Sequence, residues 1–369
     1  MKNSFRITHR WPLRLVAILA VIVIVINALE RKAKPDPTDV LIADFLSQYN
    51  IPGAVIGLSQ PGSPVELRAY GLADRQAARQ MQTTDRFRLA SLSKPVTAAA
   101  VQQLLAEHGA RSLDTALAED LPALLTARDG RMTQVSLRHL LQHGAGWDHH
   151  ADFDPFFLPS ADLDDRLGLS FETLQDCRPI AYGMLERPLD ADPGTSYGYS
   201  NLGYCWLGIW IEEISGLPYG TAVQQLVPEA RGLSLAAADV TVTHHGWAQA
   251  PQVAAALPAV IAAAGGWVGT VSDFMPVATR PLAPWVFSRP GYAAPDQYYG
   301  LGWRVWERPE GRLLTHYGAL PGVFSLVVRT ESGAAAVALF NGRPAPELEA
   351  FGFLFEGLAG LPIFQNRAE

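Results

Sequence analysis

The chain has 369 residues, 49% apolar and 18% charged, which is enough apolar surface for one large core or two joined ones and too much for a disordered chain. Its formal net charge of −7 is unevenly spread: residues 1–34 hold seven Lys/Arg and one Glu, which leaves about −13 on the rest. A body that acidic excludes nucleic acid as the expected partner.

The N-terminus reads as an export segment. Lys2, Arg6, Arg10 and Arg14 precede the apolar run Leu15–Leu29, and "ERKAKPDPTD" follows it. A spanning helix needs about 20 apolar residues and a signal-peptide core about 7–15, so this 15-residue run matches the second by length. Its richness in Val and Ile, and the imperfect cleavage site Ile26-Asn27-Ala28, leave an uncleaved anchor through residues 11–29 equally open. In both cases the basic residues stay inside and the remainder is exported to a periplasmic or other extracytoplasmic space. If the segment is retained, the cytoplasmic membrane becomes a partner.

A domain over residues 35–366 is expected after this segment. "DVLIADFLSQYN" predicts an amphipathic helix ending before Pro52. "GAVIGLSQ" and "VELRAYGLA", separated by Pro61-Gly62-Ser63-Pro64, predict a strand hairpin. From Ser91 to about Val286 the signals are mostly helical. Strands return in "YYGLGWRVW", "RLLTHYG", "GVFSLVVRT" and "AAAVALFN", before a closing helix over Glu347–Leu358. Strands at both ends with helices between them predict a mixed α/β (α+β) fold. Its one antiparallel sheet would be built from both termini, about 38–90 and 290–366, with a helical region inserted at about 91–289. Cys177 and Cys205 are the only cysteines, and a bridge or a free buried pair are both open.

Three stretches carry chemistry. In "FRLASLSKPVTAAAVQQLLAEHG" Ser91 and Lys94 are three apart, so they share one helical face. Pro95 is tolerated only in a first turn, so the helix is expected to begin at about Ser91 and to aim its positive dipole end at a nucleophile there. Taken alone, this stretch is better explained by a serine cap beside a solvated lysine. In "PGTSYGYSNLGYCWLGIWIEEISG", Tyr199 is a proton acceptor if a nearby ammonium favours its phenolate. Asn201 offers both a donor and an acceptor, suited to holding a substrate amide and a lysine together. In "LLTHYGALPGVFSLVV", His316 ends a strand and Gly318 allows close backbone approach by a ligand. "HGAGWDHHADFDP" invites a metal reading through His143, His149, His150, Asp152 and Asp154. Adjacent histidines diverge on most backbones and no H-x-x-x-H spacing is present, so no metal and no cofactor is expected. His244 and His245 are read as structural.

The order Ser-x-x-Lys, Tyr-x-Asn, His-x-Gly resembles the serine β-lactamase/D-alanyl-D-alanine-peptidase superfamily. Within it the likeness is to the branch with class C β-lactamases, DD-peptidases, D-aminopeptidases and family VIII esterases. "LDTALAEDLPAL", "SLRHLLQHGAGW", "AAGGWVGTVSDF" and "YYGLGW" stand in family order beside the three motifs, so the resemblance covers about residues 38–360. It implies a β-lactamase/transpeptidase-like fold with Ser91 as the acylated nucleophile and Lys94 supporting its deprotonation. Tyr199 would activate Ser91 or the deacylating water and protonate the leaving group, and Asn201 would orient the acyl side chain. The N–H groups of Ser91 and Ala319 would form the oxyanion hole. The chain departs from class C β-lactamases at His316-Tyr317-Gly318, where those enzymes have Lys-Thr-Gly. A histidine is mostly neutral at pH 7 and grips a β-lactam carboxylate less well than an ammonium. The expectation is an exported acyl-serine hydrolase for a small-molecule or peptide amide or ester. The alternatives are a penicillin-recognising module that only binds a peptide or protein, and a true class C-like β-lactamase.

Overall fold

The computed structural model describes residues 35–109, 111–148, 153–246 and 259–365. The expected export segment therefore lies outside the described residues, as do His149, His150 and Asp152. Among the described residues no helix is long and apolar enough to cross a membrane. The chain divides into two units, one ending at Val40 and one running from Leu41 to the C-terminus. Of the first, only residues 35–40 are described, and they open the helix Pro37–Gln48. The second contains every strand found among the described residues.

Among the described residues there are ten strands, β1 (Gly53–Ser59), β2 (Glu66–Asp74), β3 (Arg79–Gln80), β4 (Phe87–Arg88), β5 (Val268–Gly269), β6 (Gln297–Tyr299), β7 (Arg304–Trp306), β8 (Leu313–Leu320), β9 (Val323–Thr330) and β10 (Ala335–Phe340). Eight form one antiparallel sheet in the order β3-β2-β1-β10-β9-β8-β7-β6, and β4 pairs with β5 apart from it. The two ends of the chain meet at β1 and β10, where Ala54 faces Phe340 and Leu58 faces Ala336.

Burial on both faces explains why β1, β9 and β10 read as nearly unbroken apolar runs rather than alternating ones. Alternate residues still serve different cores. Phe324, Leu326, Val328, Ala336, Ala338, Phe340, Ala54 and Ile56 pack with Phe45 and with Leu354 and Leu358 of the helix Glu347–Ala359. Val323, Val327, Val337, Leu339 and Val55 face the opposite way, into the larger core shared with the inserted helices. The central helix of that region is Asn201–Ser215, buried from Asn201 to Ile211 and packed against the helix Ser93–Glu107. Cys177 and Cys205 are joined in a disulfide, which resolves the open alternative and ties this helix to the one beginning at Arg178. Closing a loop of 28 residues contributes roughly 3.6 kcal/mol in the chain-entropy view.

Three local expectations need correction. "YYGLGWRVW" is not one strand but two, β6 and β7, paired Tyr299 to Arg304 around a turn with Gly302 at φ +86°. The α-helix starts at Ser93, because residues Ala90–Leu92 form a tighter 3₁₀ turn that holds Ser91 just ahead of it. The inserted region also contains β5, whose two residues carry too little periodicity to be read from sequence.

Candidate active site

Ser91 sits in a turn held from several sides. The Leu89 N–H donates to Trp267 O at 2.9 Å, and Ser325 Oγ donates to Leu89 O at 2.8 Å. Ala90, directly before Ser91, has φ +49°, a left-handed conformation that is costly for a residue with a Cβ. Gly318 of β8 passes so close to this turn that a Cβ there would lie 2.7 Å from both Ser91 N and Leu89 O. The close approach at Gly318 exists, and it brings β8 against the protein's own nucleophile turn.

Lys94 is fully buried one turn further on, and each of its three donors has an acceptor. Nζ lies 3.1 Å from Ser91 Oγ, 2.7 Å from Asn201 Oδ1 and 2.8 Å from Ala264 O. The Ala264 carbonyl comes from the π-helical turn Ala262–Gly266. Burial drives the Lys94 amine down to about 7, against an opposing pull from the Asp154 carboxylate. At neutral pH a large share of it is then an uncharged base.

Tyr199 donates from its hydroxyl to Ser91 Oγ at 2.9 Å, and its ring lies 4.3 Å from the His143 ring. Burial pushes this phenol well above its ordinary range. The expectation of a Tyr199 phenolate is not met in this geometry: burial disfavours the ionised phenol, Lys94 at about 7 is only partly an ammonium at neutral pH, and the hydroxyl donates to Ser91. Asn201 opens its helix behind the cap Ser200, whose side chain accepts from the Gly203 N–H at 3.1 Å. Its Oδ1 faces Lys94 as anticipated, and its Nδ2 donates to Asp154 Oδ2 at 2.6 Å.

His316 lines the same cleft as a buried, neutral ring. Its Nδ1 lies 2.8 Å from the Tyr317 carbonyl, which only accepts, so Nδ1 carries the proton and Nε2 accepts from the Tyr299 hydroxyl at 2.7 Å. Burial first, and Lys94 second, push His316 down to about 3. Ala319 follows on β8, at the wall of a cavity of about 510 Å³ that opens over Ser91. β7 pairs with β8 only as far as Thr315, so the stretch from His316 to Leu320 has no β7 partner along that edge. Phe157, Tyr197, Tyr317 and Leu348 supply apolar wall, and Arg304 a cation.

All seven residues singled out from the sequence thus meet at or beside one cleft. Sequence reasoning missed Asp154, which it offered only as a metal ligand, along with Tyr299 and the Ala264 carbonyl. A signal for the last two exists, since "YYGLGW" and "AAGGWVGTVSDF" are among the segments that stand in family order. His143, the other described histidine of the candidate metal stretch, is buried and accepts from the Ser200 N–H at 3.1 Å. Among the described residues no cluster of three or more metal-ligating side chains is present. His244 is buried between the Arg88 N–H at 3.3 Å and Gly322 O at 3.1 Å, a structural link.

The family model described as Beta-lactamase matches residues 38–360. The chain is 33% identical over 204 residues to esterase EstB of Burkholderia gladioli, a stretch covering 53% of this chain and 49% of that protein. It is 25% identical over 331 residues to penicillin-binding protein 4* of Bacillus subtilis, covering 76% and 65%. The chain spans half or less of the length of the first curated relatives it matches. In fold it is similar to a D-amino acid amidase from Ochrobactrum anthropi SV3, with TM-score 0.67 at 19% identity over 87% of this chain and 97% of that one. A β-lactamase/D-alanine carboxypeptidase from Pseudomonas syringae gives TM-score 0.63 at 18% identity, over 86% and 98%. The family match runs through all three motifs and both halves of the sheet, and the chain belongs to the Beta-lactamase family of the serine β-lactamase/DD-peptidase superfamily.

Proposed function

We propose that the protein is an exported acyl-serine hydrolase that cleaves an ester, or an amide of a D-amino acid, through an acyl-enzyme on Ser91. The observation that carries this reading is a buried amine of lowered basicity 3.1 Å from a serine hydroxyl that also accepts from Tyr199. Neutral Lys94 takes the Ser91 proton as Oγ attacks the substrate carbonyl carbon. The oxyanion that forms is received by the Ser91 and Ala319 N–H groups. As the bond to the leaving group breaks, that group takes the Tyr199 proton, and the Lys94 ammonium restores the phenol. Water then attacks the acyl carbon, giving its proton to the same groups, and Ser91 leaves protonated.

The substrate preference rests on His316. A ring held neutral by burial gives no fixed cation beside Gly318 for a β-lactam carboxylate. Relatives named as an esterase and a D-amino acid amidase support the same direction. Export is supported by the basic and apolar N-terminal run, and by a disulfide of the kind that persists in oxidising compartments.

Mass spectrometry of the exported domain after incubation with a fluorophosphonate tests the nucleophile, and the adduct is expected on the Ser91 peptide. A label elsewhere, or equal labelling of Ser91→Ala, would sink the assignment. On turnover, short p-nitrophenyl esters or a D-Ala-D-Ala peptide should give higher kcat/KM than nitrocefin, and the opposite order would overturn the preference.

A further inference from the structure

Asp154 has both carboxylate oxygens committed. Oδ1 accepts from the Phe156 N–H at 3.0 Å, and the Phe157 N–H closes the same turn on Asp154 O at 3.1 Å, which ties the carboxylate to its own loop. Oδ2 accepts from Asn201 Nδ2 at 2.6 Å. An asparagine amide is nearly symmetric in shape, so its partners decide which end points where. A carboxylate only accepts, so it takes the Nδ2 end and turns Oδ1 toward Lys94, where it lies 2.7 Å from Nζ.

Charge acts at the same place. The groups that face Lys94 come from several elements: the rings of Tyr199 and Tyr204 at 4.8 and 5.3 Å, the Ser91 hydroxyl, the Asn201 and Ala264 oxygens, and neutral His316 on β8. Asp154 is the carboxylate that acts on the amine, and it favours the ammonium that burial disfavours.

We propose that Asp154 is a positioning residue of this active site, whose carboxylate fixes the Asn201 amide with Oδ1 on Lys94 and whose negative charge stands behind the amine that takes the Ser91 proton. This role rests on the acyl-serine reading. It gives Asp154 a task in catalysis without contact with the reacting atoms.

The test is the rate of Ser91 phosphonylation by a fluorophosphonate, followed by intact mass as a function of pH, which requires no knowledge of the substrate. The wild-type rate should rise with pH through about 7. Removing the negative charge weakens the hold on the Lys94 proton, so in Asp154→Asn the midpoint should fall by about one pH unit. Asp154→Glu, which keeps the charge, should return it toward the wild-type value. Asp154→Ala also lets the amide turn over, and its plateau rate should drop ~10–100-fold. A purely structural aspartate would lower Tm or the labelled fraction and leave the midpoint where it was. A wild-type midpoint in folded Asp154→Asn overturns the proposal. Asp154→Ser, which keeps an acceptor for the Phe156 N–H, supplies the same readout where the asparagine variant does not fold. Absence of labelling in the wild type would instead overturn the acyl-serine reading itself.

Discussion

Lys94 and His316 are both cationic side chains by type, and burial turns both toward neutrality. Both fall by a similar amount, and they end apart because an amine starts at 10.5 and an imidazole at 6.5. Burial draws Lys94 down against the opposing pull of the Asp154 carboxylate, and it settles at about 7. His316 has one nitrogen on a carbonyl and the other on a phenol, no carboxylate among its influences, and falls to about 3. These values give the pH dependence a definite sign. Below about 7 the amine is protonated and cannot accept from Ser91, so kcat/KM on a p-nitrophenyl ester should be low there, rise tenfold per pH unit on the limb, and level off above. No separate inflection from His316 is expected between pH 5 and 8. Lys94→Ala should lower the plateau by about 10²–10⁴-fold. A profile with its limb near 6.5 that moves in His316→Asn would show that the histidine, and not the lysine, is the titrating group.

At the scale of elements, the nucleophile is placed by a strand as much as by its own helix. β8 runs against the Ala90–Leu92 turn with only a hydrogen at Gly318 between them, and Ser325 on β9 ties Leu89 into the same contact. The short turn replaces the helical start expected at Ser91, and the positive φ of Ala90 is the local consequence. Gly318→Ala puts a methyl 2.7 Å from two backbone atoms that have no side-chain freedom to retreat. The turn must shift, and a fall of ~10²-fold in kcat/KM on the ester is expected, with about 1–3 kcal/mol lost from stability. Thermal unfolding and ester turnover of the purified variant check the two effects separately. Unchanged turnover would mean that the turn tolerates displacement and that Ser91 is positioned by the helix alone.

For the whole molecule, the sheet is completed by pairing residues nearly 290 apart in sequence, as Ala54 on β1 and Phe340 on β10 show. The inserted helical region, cross-linked at Cys177–Cys205, supplies the opposite wall of the cleft with Tyr199, Asn201 and the Ala264 carbonyl. Export of this body is the remaining proposal at this scale. Residues 1–60 fused to alkaline phosphatase should give an active enzyme in bacteria, since that reporter needs an oxidising compartment. An inactive fusion, beside a fluorescent fusion at the same junction, would place the domain in the cytoplasm and leave the Ser91 chemistry untouched. The sequence by itself determined the motif order, the strands at both ends, the helices between them and the closing helix, because local periodicity and short spacings record one-dimensional information. It also determined the pairing of Ser91 with Lys94, which needs only one helical turn. Only the tertiary structure decided that Tyr199 is a donor and that Gly318 approaches the Ser91 turn. The same holds for the place of Asp154 behind Asn201 and for the basicity of Lys94. Those properties depend on desolvation and on contacts between segments about 50 to more than 200 residues apart, and no local pattern of residues carries either.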